Sequence, residues 1–193
     1  MPDPLHIDPK TAALLVMDFQ TLIVEGFASD KDALLARTAR LIEVARGARL
    51  RVMYVVVGFR EGHPEIDLRN ITFGPIRQGS MFTLGSAETG IHSAVAPQPG
   101  DVVVTKHRVG AFYGTDLDII LRANGIDTLL LAGIATSGVV LSTLRHAADA
   151  DYRIVVVSDC CADKDAEVHR VLLQKIFARQ ASIVTCEEVL AAL

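Results

Sequence analysis

Six short runs of apolar, mostly β-branched residues punctuate the chain, each bounded by turn formers. They are "TAALLVMD" (Thr11 to Asp18), "LRVMYVVVG" (Leu50 to Gly58), "DVVVTK" (Asp101 to Lys106), "IDTLLLAG" (Ile126 to Gly133), "YRIVVVSD" (Tyr152 to Asp159) and "ASIVT" (Ala181 to Thr185). Runs that are apolar at nearly every position belong to strands buried on both faces. Between most of them apolar residues recur every three or four positions, in Lys31 to Ala48, Thr115 to Gly125, Ser137 to Ala150 and Ala166 to Gln180, which predicts amphipathic helices. Strand and helix in alternation predict a parallel sheet wrapped by helices. The rhythm breaks from Phe59 to Pro99, a stretch of about forty residues. A connection that long in a compact domain is a functional insert or carries short elements of its own.

With 193 residues, the chain suits one domain, 1–193, around one core. The formal charge of −4, the absence of a basic run and an aromatic content of 5% without Trp argue against a nucleic-acid surface. A small-molecule partner is expected instead. The start, "MPDPLHIDPKTAALLVMDFQ", has no basic residues leading into a long apolar run, and no segment reaches membrane-spanning length, so neither a signal peptide nor a membrane partner is expected. Cys160, Cys161 and Cys186 are few, odd in number and partly adjacent, which is not a disulfide framework. A cytoplasmic location follows as an expectation. "GIATSG" after the fourth run lacks the spacing of a dinucleotide-binding turn, and no cofactor is expected.

In an open parallel sheet the carboxyl ends of the strands form the edge at which ligands bind. Asp18 closes the first run, Lys106 the third, and the "GIATSG" turn the fourth. A carboxylate directly after "LLVM" needs a cation or donors if it is buried, and Lys106 is the natural partner. Either residue alone is equally well explained by capping or by a supporting ion pair. Together, at the ends of strands expected to be neighbours, they should lie within about 4 Å, with the Asp pKa lowered by the Lys.

"LLVMDFQ" followed by "VVVTKHRVGAFYGTDLDIILRANGIDTLLLAGIATSGVVLSTLRHAADADYRIVVVSDCCAD" resembles the isochorismatase-like hydrolases, also called cysteine hydrolases, over nearly the whole chain. The resemblance rests on Asp18 and Gln20, on Lys106 with Ala111, Phe112, Gly114, Thr115, Leu117 and Leu121, and on the turn with Thr136 and Thr143. It implies a three-layer, Rossmann-like α/β fold with a six-stranded parallel sheet, and homodimers or homotetramers. It also implies an Asp, Lys and Cys triad in which the Asp activates a thiol that attacks a carbonyl, here matched by Asp18 and Lys106. Backbone N–H groups of Ala135 and of the residue at the Cys position would form the oxyanion hole, beside a cis Ile134–Ala135 bond.

With Thr136 and Thr143 on the family's two threonines, the cysteine position falls on Val139. Ser137 is a candidate substitute, though the expected role for a Ser opening a helix is an N-cap. Cys160 and Cys161 are the others, and would need an electropositive, partly exposed setting to react. A second route needs no protein nucleophile: isochorismatases proper lack the cysteine, and their Asp protonates a vinyl ether. The metal-dependent nicotinamidases use an Asp and three clustered His, whereas here His63 stands alone in the insert and His6, His92, His107, His146 and His169 are scattered, so no metal is expected. Gln20, Arg60, Phe112, Tyr113 and Thr136 are the expected substrate contacts, with Arg60 equally suited to a salt bridge with a nearby Glu. The reading is a hydrolase of this family acting on a small polar or anionic molecule at a C–N amide or vinyl-ether bond. The alternative is a degenerate member that binds a small molecule without converting it.

Overall fold

The computed structural model describes residues 5–193. Six strands form one sheet: β1 (Ala12–Met17), β2 (Arg51–Val57), β3 (Val102–Lys106), β4 (Thr128–Ile134), β5 (Arg153–Ala162) and β6 (Ser182–Val184). Their order is β3-β2-β1-β4-β5-β6 and every pairing is parallel. The chain reverses its direction of travel across the sheet between β1 and β4, so the carboxyl ends of these two strands form the switch point at which open α/β sheets bind ligands. The helices are α1 (Thr21–Phe27), α2 (Lys31–Gly47), α3 (Gly74–Gln78), α4 (Leu117–Ala123), α5 (Leu141–Asp149), α6 (Ala166–Val171) and α7 (Cys186–Ala192).

Alternate strand residues supply the two faces. Leu14, Val16, Tyr54, Leu130 and Val155 pack with Leu34, Leu41 and Ala45 of α2 and Val189 of α7, while Leu15, Met17, Val55, Leu131 and Val156 pack with Leu121 of α4, Leu144 of α5 and Phe177. Each such side chain contributes about 1.5–3 kcal/mol on burial, so both apolar faces commit the sheet to three layers. The Phe59–Pro99 insert carries short elements of its own, α3 and two 3₁₀ turns, around a small core of Phe59, Ile66, Phe73 and Phe82 against Val57.

Four expectations need correction. Lys106 does not end a strand beside β1: β3 is an edge strand, with β2 between them. The fifth strand runs to Ala162, past the expected end at Asp159, because its pairing with β4 shifts after Leu131, leaving extra residues on the β5 side. The helix expected from Ser137 begins as a wide π turn, Thr136–Val140, before α5. The last periodic segment is also interrupted, by a π turn at Leu172–Ile176 and a 3₁₀ turn at Phe177–Arg179. α1 and α7 were not expected; Thr185 and Glu188 form a capping box that fixes the start of α7.

Candidate functional site

Asp18 is the first residue beyond β1 and sits in the left-handed region, φ 58°. Asp is one of the few non-glycine types that enter that region readily. Its backbone N–H donates to Val55 O at 2.8 Å, holding the bend against β2. Lys106 spans the end of β2, about two strand spacings or 10 Å from β1, and its Nζ reaches Asp18 Oδ2 at 2.9 Å, within the expected separation. Nζ also donates to Arg108 O at 3.2 Å. Both side chains are nearly inaccessible, 3% exposed for Lys106 and 7% for Asp18. A long, flexible cation is what lets an edge strand serve a site on a central one.

The Asp18 pKa is not lowered as expected. Burial raises it, outweighing the opposing charge and hydrogen bond of Lys106 and the nearby Val57 backbone amide. Geometry gives the reason: Lys106 neutralises one oxygen, while Oδ1 is buried with no hydrogen-bond partner. That oxygen is desolvated and free to accept from a reacting group.

The turn after β4 closes the other side. Gly133 lets β4 approach the turn and β1 closely, since a Cβ there would lie 3.0 Å from Val140 Cγ2 and 3.2 Å from Met17 Cβ. The Ile134–Ala135 bond is cis, as expected. Ala135 O accepts from Gly138 N–H at 3.1 Å and Val140 N–H at 3.3 Å, and Ser137 N–H donates to Asp163 Oδ2 at 2.7 Å. Those amides are spent; the expected donors, Ala135 and Val139, lie outside these commitments. Ser137 is therefore no N-cap: it lies inside the π turn, whose cap residue is Ala135. Val139 is 2% exposed and belongs to the apolar cluster of Met17, Ala111 and Phe112.

Other candidates are tied up. Gln20, expected on the substrate, is fully buried: its Nε2 donates to Val57 O at 2.9 Å and Thr89 O at 3.1 Å, and its Oε1 accepts from Val57 N–H at 2.8 Å. It braces the end of β2 against the insert. Gln20→Leu should therefore destabilise the protein by about 2–4 kcal/mol, through the buried Val57 groups left unpaired, as read by urea denaturation. Arg60 pairs with Glu65 at 2.6 Å, the alternative weighed for it, and is 69% exposed. Phe112 is buried and stacks on His146 at 4.4 Å, whereas Tyr113 is 72% exposed.

Thr136 is buried and donates through Oγ1 to Ala162 O at 3.1 Å, with His169 Nδ1 at 2.8 Å from the same oxygen. Asp163 and His169, which anchor the turn, carried no sequence signal, because each is set by the path of the chain after β5. Cys160 and Cys161 lie within β5 rather than beyond it, buried on opposite faces of the sheet. Burial pushes the Cys161 thiol up to about 12. Cys160 is also raised, by a hydrogen bond with Cys186 and by burial. Neither sits in the exposed, electropositive setting a nucleophilic thiolate needs. His63 is satisfied by Met81 O at 2.7 Å and stacks on Phe59. Among the described residues no three His, Cys, Asp or Glu side chains gather as metal ligands would.

The isochorismatase domain family matches residues 12–188. Ureidoacrylate amidohydrolase RutB of Methylobacterium radiotolerans is 32% identical over 197 residues, covering 91% of this chain and 76% of that protein. An isochorismatase family protein of Burkholderia thailandensis shares 34% identity with a TM-score of 0.87 over 97% of each chain. N-carbamoylsarcosine amidase of Thermoplasma acidophilum superposes with a TM-score of 0.74 at 30% identity, over 92% of this chain and 97% of that one.

Proposed function

The chain belongs to the isochorismatase family, and from that premise we propose that it hydrolyses a C–N bond of a small polar or anionic molecule, with Val139 where the family's thiol would stand. The observation that carries the reading is the buried Asp18–Lys106 pair with Asp18 Oδ1 left unpaired. The relatives are named as a ureidoacrylate amidohydrolase and an N-carbamoylsarcosine amidase, which supports an amide or ureido bond over a vinyl ether.

In this reading water is the nucleophile. Asp18 Oδ1 takes a proton from water as the oxygen attacks the carbonyl carbon, the Ala135 and Val139 amides receive the oxyanion, and Asp18 returns the proton to the leaving nitrogen. Lys106 offsets the charge on Asp18 throughout and holds the carboxylate in place. No cofactor enters the scheme.

The raised Asp18 pKa gives a test with a sign. A general base works ionised, so kcat/KM on a ureido substrate should rise with pH through a limb above the ordinary carboxylate range. A vinyl-ether cleavage that uses Asp18 as the acid would fall through the same limb. Product release from a panel of N-carbamoyl amino acids, small amides and vinyl ethers, measured across pH, separates the two. The binding-protein reading is favoured by the burial of Val139 among Met17, Ala111 and Phe112; it predicts saturable binding on the panel with no product at any pH.

A further inference from the structure

At the opposite edge of the sheet, around the amino ends of β2 and β3, lies a cavity of about 490 Å³. Leu50, Val52 and Met53 are buried beneath it, and Lys10, Arg46, Arg49, Arg51 and Asp101 line it. The one carboxylate is committed: Asp101 Oδ2 accepts from Arg46 Nη2 and from Gln98 N–H at 2.8 Å. Lys10, Arg49 and Arg51 have no carboxylate within ion-pair distance among the described residues. Three cations without an ion-pair partner among the described residues thus line one cavity in a chain whose formal charge is −4.

Arg49 adds an independent observation. It follows α2 at φ 63°, where glycine is the favoured residue after a helix and a long side chain is disfavoured. Ser80 and Asp151 share this conformation just beyond α3 and α5, but of the three only Arg49 brings a cation to a cavity of this kind.

We propose that this cavity binds a small phosphate-bearing anion, held by Lys10, Arg49 and Arg51. A phosphate group has three or more acceptor oxygens and answers several cations at once, whereas one arginine fork saturates a carboxylate. The volume exceeds that of a bare phosphate and leaves room for the body of a small phosphate ester. The five residues of β3 alone separate the cavity from Lys106 by about 13 Å, so occupancy is independent of the chemistry proposed at Asp18.

The test is calorimetric titration of the full chain with ribose 5-phosphate and with inorganic pyrophosphate at low ionic strength, chloride-matched. Arg49→Gly removes the charge and relieves the backbone; Arg49→Gly/Arg51→Thr removes a second charge with a strand-forming residue. The native protein should bind both probes saturably, at least tenfold more tightly than the double variant and at least threefold more tightly than Arg49→Gly, with Arg49→Lys between native and Gly. Absence of saturable binding to the native protein overturns the proposal, as does equal affinity in native and Arg49→Gly proteins. Should the double variant fail to fold, the Arg49→Gly comparison decides alone.

Discussion

Asp18→Asn is expected to lower kcat/KM on a ureido or N-carbamoyl substrate by about 10²–10⁴-fold, the range associated with loss of a positioned general base. It should also destabilise the fold by about 3–5 kcal/mol, because Lys106 would be left as an uncompensated charge where it is 3% exposed. The two effects separate in a second variant. Asp18→Asn/Lys106→Met replaces the ion pair with neutral groups, and should recover most of the lost stability and none of the turnover. Chemical denaturation beside initial rates checks both. A double variant that regained activity along with stability would show the pair to be structural.

Val139→Cys is the complementary gain. A cysteine side chain is smaller than valine, so the apolar cluster with Met17, Ala111 and Phe112 can accept it. The sulfur would stand where the family resemblance puts the nucleophile, beside a desolvated carboxylate to take its proton and a lysine that favours the thiolate. The variant should turn over activated esters and amides at least about tenfold faster than the native protein, through an acyl-thiol intermediate visible as added mass. Adding Asp18→Asn should abolish both the adduct and the gain. A folded Val139→Cys protein with a titratable thiol, no adduct and no new turnover would mean that the crevice differs from its relatives in more than one residue, and would favour binding over catalysis.

The parallel sheet was legible because each strand is apolar at nearly every position, a pattern that only two covered faces produce. The same runs say nothing of lateral order. Nothing in "DVVVTK" marks β3 as an edge strand, so the Asp18–Lys106 pair was expected from neighbours and is instead made across β2. The direction of the Asp18 pKa shift depends on how completely the crevice excludes water, which a sequence does not record. Gln20 shows a further limit: its place two residues after Asp18 suggested a ligand contact, yet its amide is consumed by Val57 and Thr89 backbone. The anchoring of the turn by Asp163 and His169 joins residues about thirty positions apart. Such contacts follow from topology, not from local pattern.

Hydrolysis by water rather than by a protein nucleophile is tested most directly by intact-protein mass spectrometry during turnover. The native chain would be held with excess N-carbamoyl amino acid or ureido substrate and quenched at intervals, with Val139→Cys as the sample in which an adduct is expected. The account predicts that product accumulates while the native chain keeps its unmodified mass at every time point. An acyl or carbamoyl increment on the native chain, mapped to Cys160, Cys161, Cys186, Ser137 or any other side chain and formed as fast as product, would contradict it.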